Sequence, residues 1–85
     1  MRSAEIDRKE GRLEAACQSL EEIVQIWREV GNGLQLGDNL VTLAHLMRQL
    51  GDRASARLYL EEALAAYRQS GSESGMAQVS CLLAS

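Results

Sequence analysis

The side chains of this 85-residue sequence with chemistry to offer are one histidine, two cysteines and two adjacent glutamate pairs. A metal site built on His45 would need Cys17, Cys81 or carboxylates to complete it, and none stands at the short spacings that metal-binding motifs show. His45 therefore reads as a helix-surface or groove histidine, and Cys17 as a small core residue. Nucleophilic catalysis would need a serine or cysteine with a base and an orienting acid, yet the serines gather where helices should end and serve there as caps or turn residues. The glycine-rich stretches Gly31-Asn32-Gly33 and Gly71 to Gly75 follow helical patterns and carry no lysine before a serine or threonine, so a phosphate cradle fails on context. Met47 and Met76 are spaced as core residues. The expectation is a chain with no catalytic residues, no metal and no cofactor.

The glutamates point elsewhere, because Glu21-Glu22 recurs as Glu61-Glu62 at the same place in a longer pattern. Gly11 to Ala44 lies over Gly51 to Ala84 with a constant offset of 40 residues and no gaps. Gly11, Ala16, Leu20, Arg28, Gly31, Leu43 and Ala44 meet their own types at Gly51, Ala56, Leu60, Arg68, Gly71, Leu83 and Ala84, and Trp27 meets Tyr67. A period in this range marks stacked helical repeats. An acid/base pair would not recur with a repeat, whereas a solvated helix face with local pairs such as Arg57 to Glu61 would.

The elements that position these residues follow from apolar spacing. Leu13, Ala16, Cys17, Leu20, Ile23, Val24 and Trp27 recur at steps of three and four, which predicts a helix over 12–30 ending at the glycines. A helix over 34–50 has Leu36, Leu40, Leu43, Ala44, Met47 and Leu50 on one face, with Val41 and Leu46 beside it, so it is touched on more than one side. Gly51-Asp52 makes a tight turn into a helix over 53–70, which must run back antiparallel, and a helix over 74–84 follows. A short partial helix over 1–10, with Ala4 and Ile6 as its apolar residues, precedes them. All of it reads as one helical domain over 1–85.

Composition excludes other classes. The chain has no proline, 46% apolar residues and only three aromatics, so its core is aliphatic and small enough that neighbours are often recruited. A net charge of −3 spread along the chain leaves no footprint for a nucleic-acid backbone or an anionic membrane. No stretch approaches a bilayer span, the charged N-terminus lacks the apolar run of a signal peptide, and the two well-separated cysteines suit reduced thiols. Cytoplasm is the expected compartment.

The spacing Leu43-Ala44, Gly51-Asp52, Ala56, Leu60, Ala63 and Leu64 resembles a tetratricopeptide repeat, and Ala4, Gly11, Ala16, Leu20, Ile23 and Val24 carry the same likeness in the first unit. The resemblance implies an all-α array of antiparallel hairpins, about two repeats stacked as a right-handed superhelix, acting as a protein-interaction module. Arg28 and Arg68 stand where the family usually ends its second helix with proline, and the unit is longer than the common 34-residue form. This long variety resembles the repeats of kinesin light chains and of bacterial regulators with a repeat sensor.

The resemblance also implies that the first helix of each repeat lines a concave side. In this sequence that face maps to Asp38, Val41, Thr42, His45, Arg48 and Gln49, with Gln78 and Cys81 in the last helix. Arg48 there would pair with a carboxylate, and His45 and Gln49 would bond a peptide backbone; an ordinary solvated flank would present the same residue types. Neither end resembles a polar capping helix, so complete repeats are expected to begin and end outside this sequence and the uncapped ends to pair with another copy as a homo-oligomer. Three function classes follow: a partner-binding scaffold, a self-associating fragment, and a ligand-sensor fragment of a transcriptional or signalling regulator.

Overall fold

The computed structural model describes residues 2–84, with side chains from residue 11 onward. It consists of four helices, α1 (Arg2–Val30), α2 (Gly33–Gln49), α3 (Arg53–Ser70) and α4 (Glu73–Ala84), and no strand occurs among the described residues. They stack in chain order: α2 and α3 pair most closely, α1 packs on α2, α4 packs on α3, and α4 also touches α2.

Three turns separate the helices, and each has the same chemistry. Gly31, Gly51 and Gly71 take φ of 84°, 87° and 76°, a left-handed region that a side chain would strain. The residue after each glycine closes the preceding helix, with Asn32, Asp52 and Ser72 donating backbone N–H to the carbonyls of Trp27, Met47 and Tyr67. The same residue then opens the next helix: the Asn32 and Asp52 side chains accept from the N–H groups of Gln35 and Ser55, and the Ser72 hydroxyl accepts from Gly75.

That chemistry explains a departure from expectation. Gly11 is the equivalent of Gly51, and the sequence suggested two helices, 1–10 and 12–30, meeting there; α1 instead runs through Gly11 without a break. After Gly51, Gly31 and Gly71 comes an acceptor side chain that caps the next helix, whereas after Gly11 comes Arg12, a donor with nothing to offer free N–H groups. Without the cap the helix continues. The covering role expected of Ala4 and Ile6 lies outside the described side chains.

The core is aliphatic and centred on α2, whose Leu40, Val41, Leu43 and Ala44 are buried between its neighbours. Facing them are Val24 of α1, Ala56, Leu60, Ala63 and Tyr67 of α3, and Val79 of α4. Truncating a fully buried leucine such as Leu40 or Leu43 to alanine costs about 2–5 kcal/mol in such a setting.

One aromatic ring locks the second half. A Cβ placed on Gly37 of α2 would stand 2.8 Å from the Tyr67 ring, and one on Gly75 of α4 would stand 2.5 Å from it. Tyr67 of α3 therefore fills a slot that exists because both neighbours are glycine. Its hydroxyl donates to the Asp38 carboxylate at 2.5 Å, so the phenol is satisfied although the ring is buried.

Candidate functional site

The residues of α2 selected from the sequence divide by side. Val41 is 6% exposed and belongs to the core, so it is not part of any accessible face. The reason is the breadth of the apolar arc: α2 is covered by α1 on one flank and α3 on another, and Val41 falls inside the covered sector. Asp38 is exposed, but its carboxylate already receives the Tyr67 hydroxyl. Thr42, His45, Arg48 and Gln49 are exposed along the remaining side of the helix, and the Thr42 hydroxyl donates to the Asp38 carbonyl at 3.1 Å. Gln78 and Cys81 are exposed on α4.

Arg48 reaches a second feature that sequence reasoning missed. A shallow groove of about 160 Å³ opens where the C-terminal ends of α2 and α4 meet the first turns of α3. Its rim is Arg48, Arg53 and Arg57, and its floor is Ala56, Leu60, Leu82 and Leu83. Arg57 pairs with Glu61 one turn on at 3.5 Å, with both side chains largely exposed, so the pair holds the arginine only weakly. The signal was present in the chain, because three of its nine basic residues fall between positions 48 and 57 although the net charge is −3. Only the fold turns them toward one apolar floor.

A better-formed ion pair ties α1 to α3. The Arg28 guanidinium donates through Nε and Nη2 to the two Glu62 oxygens, both at 2.7 Å, which fixes the geometry at two points. This gives the second member of one repeated glutamate pair a structural role. Glu21 instead lines a depression with Val24, Gln25, Arg28, Leu43 and Tyr59. Burial pushes the Tyr59 hydroxyl up from its ordinary value, and the nearby Glu21 carboxylate adds to the effect.

The cysteines are both free, Cys17 buried and Cys81 exposed. Burial raises the Cys17 thiol, with Glu21 and Glu14 adding to it, so it is held protonated, which suits a packing residue. The Asp52 carboxyl is held below its ordinary value by the Ser55 N–H it accepts at the start of α3. Among the described residues no group of three His, Cys, Asp or Glu side chains is placed to hold a metal ion. No helix among them is long and apolar enough to cross a membrane.

The two repeat units are covered unequally. Ala56, Leu60, Ala63 and Tyr67 of α3 are all at most 4% exposed beneath their neighbours, while the equivalent Ala16, Leu20 and Trp27 of α1 are half-buried and Ile23 is 38% exposed. Among the described residues α1 has α2 as its main packing neighbour and meets α3 through the Arg28–Glu62 pair and Tyr59, so no second helix covers it as α2 and α4 together cover α3. Ile26 and Val30 are still more open, at 54% and 66%.

A family model described as tetratricopeptide repeat matches residues 1–69. The chain belongs to the tetratricopeptide-repeat family. In the frame of a tetratricopeptide repeat, α1 and α3 are helices of one type and α2 and α4 of the other, and the turn at Gly51-Asp52 joins the pair that is complete. The matched stretch ends within the last turn of α3, so α4 lies beyond it. Repeats of this family act in general as protein-interaction modules without chemistry of their own. Searches of the curated proteins and of the solved structures give no match.

Proposed function

We propose that this tetratricopeptide-repeat chain binds a protein or peptide partner on the outer side of α2, through Thr42, His45, Arg48 and Gln49. One observation carries the reading: these four polar side chains are exposed on a helix whose other sides are buried, and none of them is required by the core. Arg48 offers a planar guanidinium for a carboxylate, while His45 and Gln49 can each donate to and accept from a peptide backbone. Asp38 frames the end of the row as a residue already engaged by Tyr67. The role fits a module within a larger scaffold or regulatory protein of the cytoplasm.

The arginine-rimmed groove does not suit a small-ligand sensor, because its volume of about 160 Å³ falls below the roughly 300–1,000 Å³ of small-molecule sites. It would take one or two side chains of a peptide. Self-association is a second reading, favoured by the exposure of Ile23, Ile26 and Val30 along α1. The partner reading is tested by screening a peptide library for binders and repeating the titration with Arg48→Ala. Because Arg48 is exposed, the variant should keep its helical circular dichroism and unfolding midpoint while the best peptide binds about tenfold more weakly. An unchanged dissociation constant removes Arg48 from the site.

A further inference from the structure

Two surfaces at opposite ends of the helix row match each other in chemistry and cannot meet within one molecule. On α1, Glu22, Ile23, Ile26, Glu29 and Val30 lie at steps of three and four on one side of the helix, and all five are exposed. This is an apolar stripe framed by two carboxylates. Among the described residues neither Glu22 nor Glu29 has an ion-pair partner. At the other end, the groove over α3 and α4 is the reverse: an apolar floor under a rim of arginines. Arg48 and Arg53 likewise have no ion-pair partner among the described residues, and Arg57 has only its exposed pairing with Glu61. Among the described residues α1 makes no contact with α4, so the acidic stripe of a molecule cannot reach its own groove.

We infer that a second copy of this chain seats the acidic stripe of its α1 in the arginine-rimmed groove, joining copies head to tail. The inference rests on the self-association reading and names the two faces that meet. Glu22 and Glu29 of one copy stand against the arginines of the next, and Ile26 sits over the floor formed with Leu60 and Leu83. Charge complementarity selects this pairing over the alternatives, because stripe against stripe brings carboxylates together and groove against groove brings guanidinium groups together. The contact is heterologous: each copy uses its groove for one neighbour and its stripe for another, so assembly does not stop at two. It also competes with a peptide at Arg48, whose side chain lines the groove.

The test is light scattering of the whole chain from ~10 µM to ~1 mM, a range suited to small transient interfaces, at low and at high salt. The average mass should climb past two chains at low salt and fall back as salt is raised. Two variants change only exposed side chains: Arg53→Glu with Arg57→Glu reverses the rim, and Ile26→Glu charges the stripe. Each alone should remain a single chain throughout. Mixed in equal amounts they should form a species of two chains and nothing larger, because the intact groove of one accepts the intact stripe of the other while the remaining two faces repel. A wild-type chain that stays single overturns this inference and the self-association reading together. Growth that continues undiminished in both variants overturns the inference alone and leaves self-association by other faces.

Discussion

Tyr67 sits where three helices converge, and its surroundings bear on both its shape and its proton. The ring fits only because Gly37 and Gly75 withdraw, and the hydroxyl donates to Asp38. Burial, followed by this hydrogen bond and the charge of Asp38, raises the phenol above its ordinary value of 10.0. A raised acid of this kind stabilises the fold fully below the unfolded value and loses that contribution as pH climbs from the unfolded toward the folded value. Tyr67→Phe should therefore lower stability at pH 7 by about 1.5–3 kcal/mol, the worth of a hydrogen bond to a charged acceptor. The deficit should shrink as pH rises past 10.0, since the wild-type chain alone has this phenol to ionise. Urea unfolding of both proteins at pH 7 and above pH 10 checks it, and a deficit constant with pH would show that the phenol does not govern the alkaline limb.

Among the elements, the glycines separate what a helix end needs from what a helix interior tolerates. Gly51 has φ of 87° and Gly11 lies inside α1 with nothing within 4 Å of where a Cβ would be. Gly11→Ala should therefore stabilise the chain by up to about 1 kcal/mol through helix propensity, while Gly51→Ala should destabilise it by about 1–2 kcal/mol through the left-handed backbone. Gly75→Ala would press a methyl against the Tyr67 ring and should cost about 1–3 kcal/mol. Thermal unfolding of the three variants reads all three signs, and a destabilising Gly11→Ala would mean that the chain turns at Gly11 in solution as it does at Gly51. The helical segments after residue 12 were legible from apolar spacing, as was the close approach permitted by Ala56 and Ala63. The continuity of α1 was legible too, in that Gly11 is followed by arginine instead of a capping residue, but spacing alone does not reveal it.

At the scale of the molecule, stability should be graded along the helix row. Repeat arrays hold together through nearest neighbours, and here α2 and α3 share the most extensive contact while α1 and α4 each lie on one side. Amide exchange should be slowest in the middle of α2 and α3, around Leu43 and Ala63, which are both fully buried. Exchange should be faster in α1 around Ile23 and Ile26, and the difference should narrow at concentrations where copies associate. Uniform protection across all four helices would indicate a single cooperative unit instead.

Periodicity and the recurrence of one residue pattern 40 positions on were enough to determine the all-α repeat, its turns and the aliphatic character of its core. Both are local properties, set by the 3.6-residue turn and by which side chains tolerate a helix end. Which residues stay open was decided only by the tertiary structure. Val41 and His45 stand one turn apart on α2, yet packing buries the first and leaves the second in solvent. Arg53 and Arg57 looked like an ordinary charged helix face until α2 and α4 brought Arg48, Leu82 and Leu83 beside them. A helical sequence specifies its faces by angle, but burial depends on how many neighbours each face meets, and that is a property of the assembled row.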